Sequence, residues 1–249
     1  MAKLNSLLKI EGTLEGMTFY KSKNGYLVRA KGGISKNRIE NDPSFVRTRE
    51  NGSEFGQCAK SGKLLRQTFT SMLVDVKDGS LTARMMKIIA QIKNLDTLSL
   101  RGDRNVANGL QTLEGKTILK GFDFNSNAKL KSILLADIQL NSSTGEISIT
   151  DFNPAQQLSA PGGATHVSLI AGVARIDFDA QEKELQWSPE VNLPITNTIT
   201  AVSCLPASIP SGKGELFYAF KVSFFQEINS IQYSLNNGGF NCLHIMEIL

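Results

Sequence analysis

The sequence predicts an α+β protein: an N-terminal β-hairpin and short helical layer over about residues 1–120, then an antiparallel β-sandwich, Ig-like or related, over about 121–249. Three observations predict it. Asn24-Gly25 separates two runs of alternating apolar and polar residues, the strongest short-range hairpin signal. Between 43 and 113 apolar residues recur every three or four positions. Beyond Gly121, seven or eight short strand-like runs alternate with clusters of Gly, Pro, Asn and Ser.

In chain order, residues 4–12 read as a first strand or arm, with Leu7, Leu8 and Ile10 as an apolar patch. The hairpin strands follow at 17–22 and 25–31. Side chains alternate across a strand, so Met17, Phe19 and Lys21 share one face, with Thr18, Tyr20 and Ser22 on the other. On the second strand Tyr26 and Val28 oppose Leu27 and Arg29. Two strands alone are marginal in water, so the hairpin needs another sheet, in this chain or in a neighbour.

Gly32-Gly33 ends the hairpin, and Asn41-Asp42-Pro43 places a capping residue before a proline suited to a first helical turn. The helical stripe from there reads Phe45, Thr48, Gly52, Phe55, Ala59, Gly62, Leu65, Phe69, Met72, with Gly52, Gly56 and Ala59 clustered. Interior glycine costs a helix about 1 kcal/mol against alanine. Two explanations stand open: another backbone passes close to the small residues, or the helix breaks near Asn51-Gly52 or Ser61-Gly62. Ser80 is placed to cap the next helix, whose face carries Leu81, Met85, Ile88, Ile92 and Leu95 at 3.6-residue spacing. Met85 and Met86 read as core. A third short helix spans 104–113.

The strand-like runs are 130–140, 146–151, 165–178, 184–187, 198–204, 215–226, 231–235 and 240–248. The run at 215–226 is apolar on nearly both faces, so it belongs at the centre of a sheet covered on both sides. Trp187 reads as a core anchor of the sandwich. The final strand is placed to complete a sheet, and the N-terminal hairpin is one partner for it.

The chain has 249 residues with 41% hydrophobic and 20% charged, ordinary values for a globular protein. No run of about 18 apolar residues marks a membrane span. The first dozen residues are too polar for a signal peptide, so the expected location is cytoplasmic. Cys58, Cys204 and Cys242 lack paired spacing and read as reduced core thiols. His166 and His244 make no local zinc pattern with them. Charge is uneven: residues 1–70 carry 13 Lys and Arg against 6 Asp and Glu, whereas 121–249 carry 6 against 12. A basic front and an acidic back suit either a nucleic-acid surface or head-to-tail contact between copies.

Catalytic and cofactor motifs are scarce. Ser61-Gly62-Lys63 superficially suggests a phosphate loop, but Leu64 stands where Ser or Thr is required. No GxGxxG, GxSxG, HExxH or CxxC occurs. Asp177 and Asp179 offer a weak DxD metal hypothesis without a third acidic partner. The expectation is therefore a non-enzymatic protein with no cofactor, catalytic residue or metal ligand. In the basic stretch, Lys21, Lys23, Arg29, Lys31, Arg38, Arg47 and Arg49 interleave with Phe19, Tyr20, Tyr26 and Phe45, the composition of a single-strand grip.

The strings GMTFYKSKNGYLVRAKGG, RIENDPSFVRTRENGSEFG, SLRGDRNVANG, GFDFN and YSLNNGGFNCL resemble a group of uncharacterised proteins from Bacteroidota genomes. The resemblance implies a bacterial source and a shared fold, and transfers no catalytic residue. The expected function is that of a structural or scaffolding subunit assembling with copies of itself into a ring, filament or phage-like particle. The expected contact uses Met17, Phe19, Tyr20, Tyr26, Val28, Phe45, Gly52, Phe55 and Gly56. Alternatives are a nucleic-acid-binding module using the basic residues above, or a carbohydrate- or ligand-binding sandwich presenting Trp187, Tyr218 or Tyr233.

Overall fold

Asn24-Gly25 turns the chain as its residues dictate, with Gly25 at φ 100°. In the computed structural model, which describes residues 2–4, 9–30 and 32–249, the hairpin belongs to a four-stranded antiparallel sheet. Its strands are β1 (Ala2–Lys3), β2 (Gly12–Leu14), β3 (Met17–Ser22) and β4 (Gly25–Ala30), in the order β1-β4-β3-β2. A second tight turn at Glu15-Gly16, with φ of 46° and 80°, joins β2 to β3 and sets Leu14 opposite Met17. The sheet that the hairpin required is thus supplied by the chain itself. The strand expected at 4–12 begins only at Gly12, and Leu7, Leu8 and Lys31 lie outside the described residues.

After the sheet comes α1 (Lys36–Asn41), where the Ser35 side chain accepts from the Arg38 N–H. Asp42 then caps a 3-10 turn over Pro43–Phe45, its Oδ1 accepting from the Ser44 N–H at 2.9 Å, as the Asp-Pro pair predicts. The chain divides into two compact units, Met1–Glu50 and Asn51–Leu249, a different boundary from the change in composition near residue 120.

α2 (Val46–Thr68) is one unbroken helix of 23 residues, so the glycines do not split it. Nor does another backbone of the described residues pass close to them: a Cβ added at Gly52 or Gly56 would meet nothing within 4 Å. The expected stripe is buried from Gly62 through Leu65 to Phe69 and Met72, but over the first half of the helix the buried residues are Glu54, Cys58 and Ser61 and not Gly52, Phe55 and Ala59. A buried glutamate hid that face from a search for apolar periodicity. α3 (Thr70–Leu73) and α4 (Leu81–Asn94) follow, the latter burying Met85, Ile89 and Ile92. Ser80 makes no capping bond through its side chain; Asp78 instead accepts from the Ser80 N–H and hydroxyl. The helix expected at 104–113 is the shorter α5 (Val106–Leu110), capped by Asn105, and a further helix, α6 (Leu113–Leu119), capped by Thr112, follows it.

The remainder is α7 (Leu130–Ile133), β5 (Gln139–Asn141), β6 (Glu146–Phe152), α8 (Pro154–Gln157), β7 (His166–Asp177), β8 (Glu182–Trp187), β9 (Val191–Pro194), β10 (Thr200–Cys204), β11 (Glu215–Ile228), β12 (Ile231–Ser234) and β13 (Cys242–Ile248). β10-β6-β5 form a three-stranded sheet, and β7 with β11 form the spine of a six-stranded one. Both are antiparallel, so the chain is α+β as predicted. β13 pairs with β11 and not with the N-terminal hairpin. The region 130–140 is not one strand but α7 followed by β5, and β9 appears where no strand was expected.

β11 is buried along both faces, which explains the layering. On one face Ala174, Ile176, Phe217, Ala219 and Ile245 meet Phe69, Met72, Met85, Ile89 and Leu110 of the helices. On the other, Val167, Leu169, Phe220, Val222 and Phe224 meet Ile147, Ile149, Val202 and Cys204 of the smaller sheet. The helices from Asn51 onward therefore share a core with the larger sheet, which is why they belong to its unit. Among the described residues no helix is long and apolar enough to cross a membrane.

Candidate interaction surface

The N-terminal sheet is amphipathic by register. Leu14 faces Met17, Met17 faces Ala30, Phe19 faces Val28, and Lys21 faces Tyr26, so these side chains share one face. Thr13, Thr18, Tyr20, Leu27 and Arg29 occupy the other. The structure therefore brings Met17, Phe19, Tyr26 and Val28 together and turns Tyr20 away from them. None of the described residues up to Glu50 is buried; Leu14 and Met17 are 59% and 45% exposed. Among the described residues, Leu14 and Met17 are exposed and Phe19, Tyr26 and Val28 half-buried, so this apolar sheet face is only partly covered.

Within the other unit, Gly52, Phe55 and Gly56 lie on the exposed side of α2, and Phe55 is 65% exposed. Phe45 sits under the Arg38 guanidinium, 5.6 Å from the ring centre.

The basic residues are mostly engaged with their own unit. Arg29 lies over Tyr20 at 5.5 Å, and Lys9 over Tyr26 at 5.4 Å. Arg38 pairs with Asp42 and Arg47 with Glu50. Arg49 donates to the carbonyls of Ile39 and Asp42, tying α1 to the start of α2. Lys21 and Lys23 are exposed beside the Asn24-Gly25 turn. Three of the four aromatic rings expected to stack on bases, Tyr20, Tyr26 and Phe45, thus already carry a cation from this chain.

The aromatics proposed for ligand capture divide as well. Tyr218 is buried, its hydroxyl donating to the Ser142 carbonyl at 2.7 Å. Trp187 is 50% exposed at the end of β8 and so is not the core anchor expected of it. Tyr233 is 53% exposed on β12.

Cys242, His244 and Asp123 converge without having been foreseen. His244 Nδ1 donates to Asp123 Oδ1 at 2.7 Å, and the Cys242 Sγ lies 3.8 Å from the same oxygen. The arrangement resembles a thiol–imidazole–carboxylate set, but its electrostatics oppose nucleophilic chemistry. Burial, with the Asp123 carboxylate beside it, pushes the Cys242 thiol far up, whereas a nucleophilic cysteine needs the opposite. Asp123 also accepts from the Leu130 N–H, so the cluster pins α7 to the sheet. Burial likewise raises Cys58, and raises Cys204 to about 11.

Asp177 Oδ1 accepts from the N–H groups of Asp179 and Ala180, closing the β7–β8 turn. Among the described residues no group of three or more His, Cys, Asp or Glu is placed to hold a metal ion. Ser61-Gly62-Lys63 lies inside α2, with Ser61 and Gly62 buried, and forms no loop.

Sequence periodicity also missed the buried charges. Glu54 accepts from Lys93 at 2.5 Å, from Arg104 at 2.7 and 2.9 Å, and from the Gly102 N–H at 2.9 Å. The Arg104 guanidinium, with Lys93 and Gly102, outweighs burial and holds this carboxyl down to about 2. Burial alone would raise Asp78 and Asp96, but the bonds that they accept leave both well below the usual range. Asp75 binds Lys221, Ser223 and Asn241 across the sheet. No family model matches the chain, and neither the curated proteins nor the solved structures contain a match to it.

Proposed function

We propose that the protein is a non-enzymatic structural subunit that assembles with copies of itself through its N-terminal sheet. The observation that carries this is the sheet's apolar face, Leu14, Met17, Phe19 and Val28, none of whose four side chains is fully buried. Fully burying such a side chain contributes about 1.5–3 kcal/mol; Leu14 and Met17 are about half exposed, and Phe19 and Val28 are already mostly covered. A second copy laid on the face thus gains on the order of 3 kcal/mol, which offsets part of the entropy of association. The basic start and acidic end of the chain favour a head-to-tail contact, which closes into rings or extends into filaments. Phe55 between Gly52 and Gly56 offers a second flat contact on α2. A bacterial source, as the resemblance implies, belongs to the same proposal.

Light scattering on the purified chain at low and high salt tests it. Species larger than the 27.2 kDa monomer are expected, shrinking as salt screens the contact and lost in Met17→Glu/Phe19→Glu. A monomer at every salt concentration overturns the proposal. Nucleic-acid binding is the second reading, supported by the exposed Lys21 and Lys23 at the hairpin tip. It requires an oligonucleotide shift at low salt that Lys21→Glu/Lys23→Glu removes. Arg49 is unsuited to that test because its guanidinium holds the unit together.

A further inference from the structure

The larger unit contains a basic cleft outside the N-terminal sheet proposed for assembly. It has a volume of about 520 Å³ and lies between α4, α6 and the segment 120–129. Its floor includes Ile88, Ile118 and Phe122, and its walls carry Arg84, Lys87, Lys120 and Lys129. We propose that this cleft binds a small organic anion: a phosphate or carboxylate head on a flat apolar body.

The cations fall into two sets. Arg84 is structural: it donates to Asp78, to the Asp123 carbonyl at 2.9 Å and to the Phe124 carbonyl at 3.1 Å, and its guanidinium lies 5.1 Å from the Phe122 ring centre. Lys120 pairs with Glu247 at 2.5 Å. Asp123 is part of the lining as well; its Oδ1 is engaged by His244 and the Leu130 N–H, and it is the one acidic residue among the lining residues. That leaves Lys87 and Lys129, exposed, each with an ammonium group that has no partner among the described residues. They are the charge a ligand would meet.

The size of the cleft suits a ligand of one or two rings, within the range of small-molecule sites. The half-buried Ile88 and Ile118 supply apolar surface beside the lysines, so a bare inorganic ion would leave that surface wet. An anionic head with an apolar body satisfies both, and recognition by two lysines accepts phosphate or carboxylate alike as a point charge.

Titration calorimetry on the full chain tests this with phenyl phosphate, benzoate, inorganic phosphate and phenol. Phenyl phosphate is expected to bind with Kd of about 1 mM or tighter, with benzoate weaker because it carries one charge. Inorganic phosphate and phenol are each expected to bind at least about tenfold more weakly than phenyl phosphate. Lys87→Gln/Lys129→Gln is expected to weaken phenyl phosphate about tenfold while leaving the circular dichroism unchanged, since neither ammonium group holds the fold. Ile88→Asp provides a second variant that opposes the anion without touching a lysine. The proposal is overturned by no heat of binding up to about 10 mM, by binding that both variants retain, or by inorganic phosphate binding as well as phenyl phosphate. Oligomeric state is measured separately, so failure here leaves the assembly proposal standing.

Discussion

Replacing Glu54 by Gln removes one charge from a site that holds three donors. Glu54 is 2% exposed and Lys93 8%, so the lysine is left nearly dry beside a neutral amide, while Arg104 loses its bidentate partner. Removing one member of a buried ion pair destabilises by about 3–5 kcal/mol. Linkage leads to a similar figure: the carboxyl lies at about 2 in the fold against 4.5 ordinarily, equivalent to about 3 kcal/mol at neutral pH. With a urea slope of about 2 kcal/mol per molar for a unit of this size, the midpoint falls by roughly 1.5–2 M. Trp187 is the only tryptophan and lies in the same unit, so its fluorescence reports the transition. The sign with pH follows from the lowered value. The contribution is fully present above 4.5 and is lost as pH falls towards 2, so the gap between wild type and Glu54→Gln narrows over that window. Superimposed curves at pH 7, or a gap that does not narrow in acid, would refute the reasoning.

Other substitutions separate packing from propensity. Gly52→Ala and Gly56→Ala are each expected to raise stability by about 0.5–1 kcal/mol in urea unfolding, since both are helical with open space around them. A drop in oligomer size in either variant would also place α2 at the contact between copies. Gly238→Ala is expected to destabilise by about 2 kcal/mol or more, because its Cβ would stand 1.7 Å from the Asp75 carbonyl oxygen at φ 80°; an unchanged midpoint would contradict that packing. Burial raises Glu215, so its ionisation opposes the fold, and Glu215→Gln should raise the midpoint at pH 8 and not at pH 4. Cys58, Cys204 and Cys242 should resist a thiol reagent at pH 8 in the native protein and react fully in denaturant. Rapid native labelling of any one would show its site to be open.

Much of the architecture is legible in local chemistry. Asn24-Gly25, Asp42-Pro43 and the alternation of 215–226 each state a turn, a cap and a doubly covered strand in consecutive residues, and the structure contains all three. The candidate surface is legible in part: Met17, Phe19, Tyr26 and Val28 share a face because a strand has a period of two. The same alternation puts Tyr20 on the opposite face, as the register has it, so Tyr20 belongs with the expected contact residues by composition alone. The first half of α2 departs from the expected stripe because its buried side carries Glu54, and a carboxylate satisfied by partners about 40 to 50 positions away leaves no apolar period.

The sequence by itself determined the secondary elements that short-range sterics and hydrogen bonding control, and the apolar surplus that demands two layers over β11. The tertiary structure decided what depends on distant partners. It chose β11 and not the hairpin for the last strand, and it moved the division between units to Glu50 and Asn51. It also assembled the Glu54 and Asp75 ion clusters, and gathered Lys87 and Lys129 around one cleft. The physical reason is range. A turn or cap is settled by neighbours within four residues, whereas a buried charge or cleft exists only when segments far apart in the chain meet.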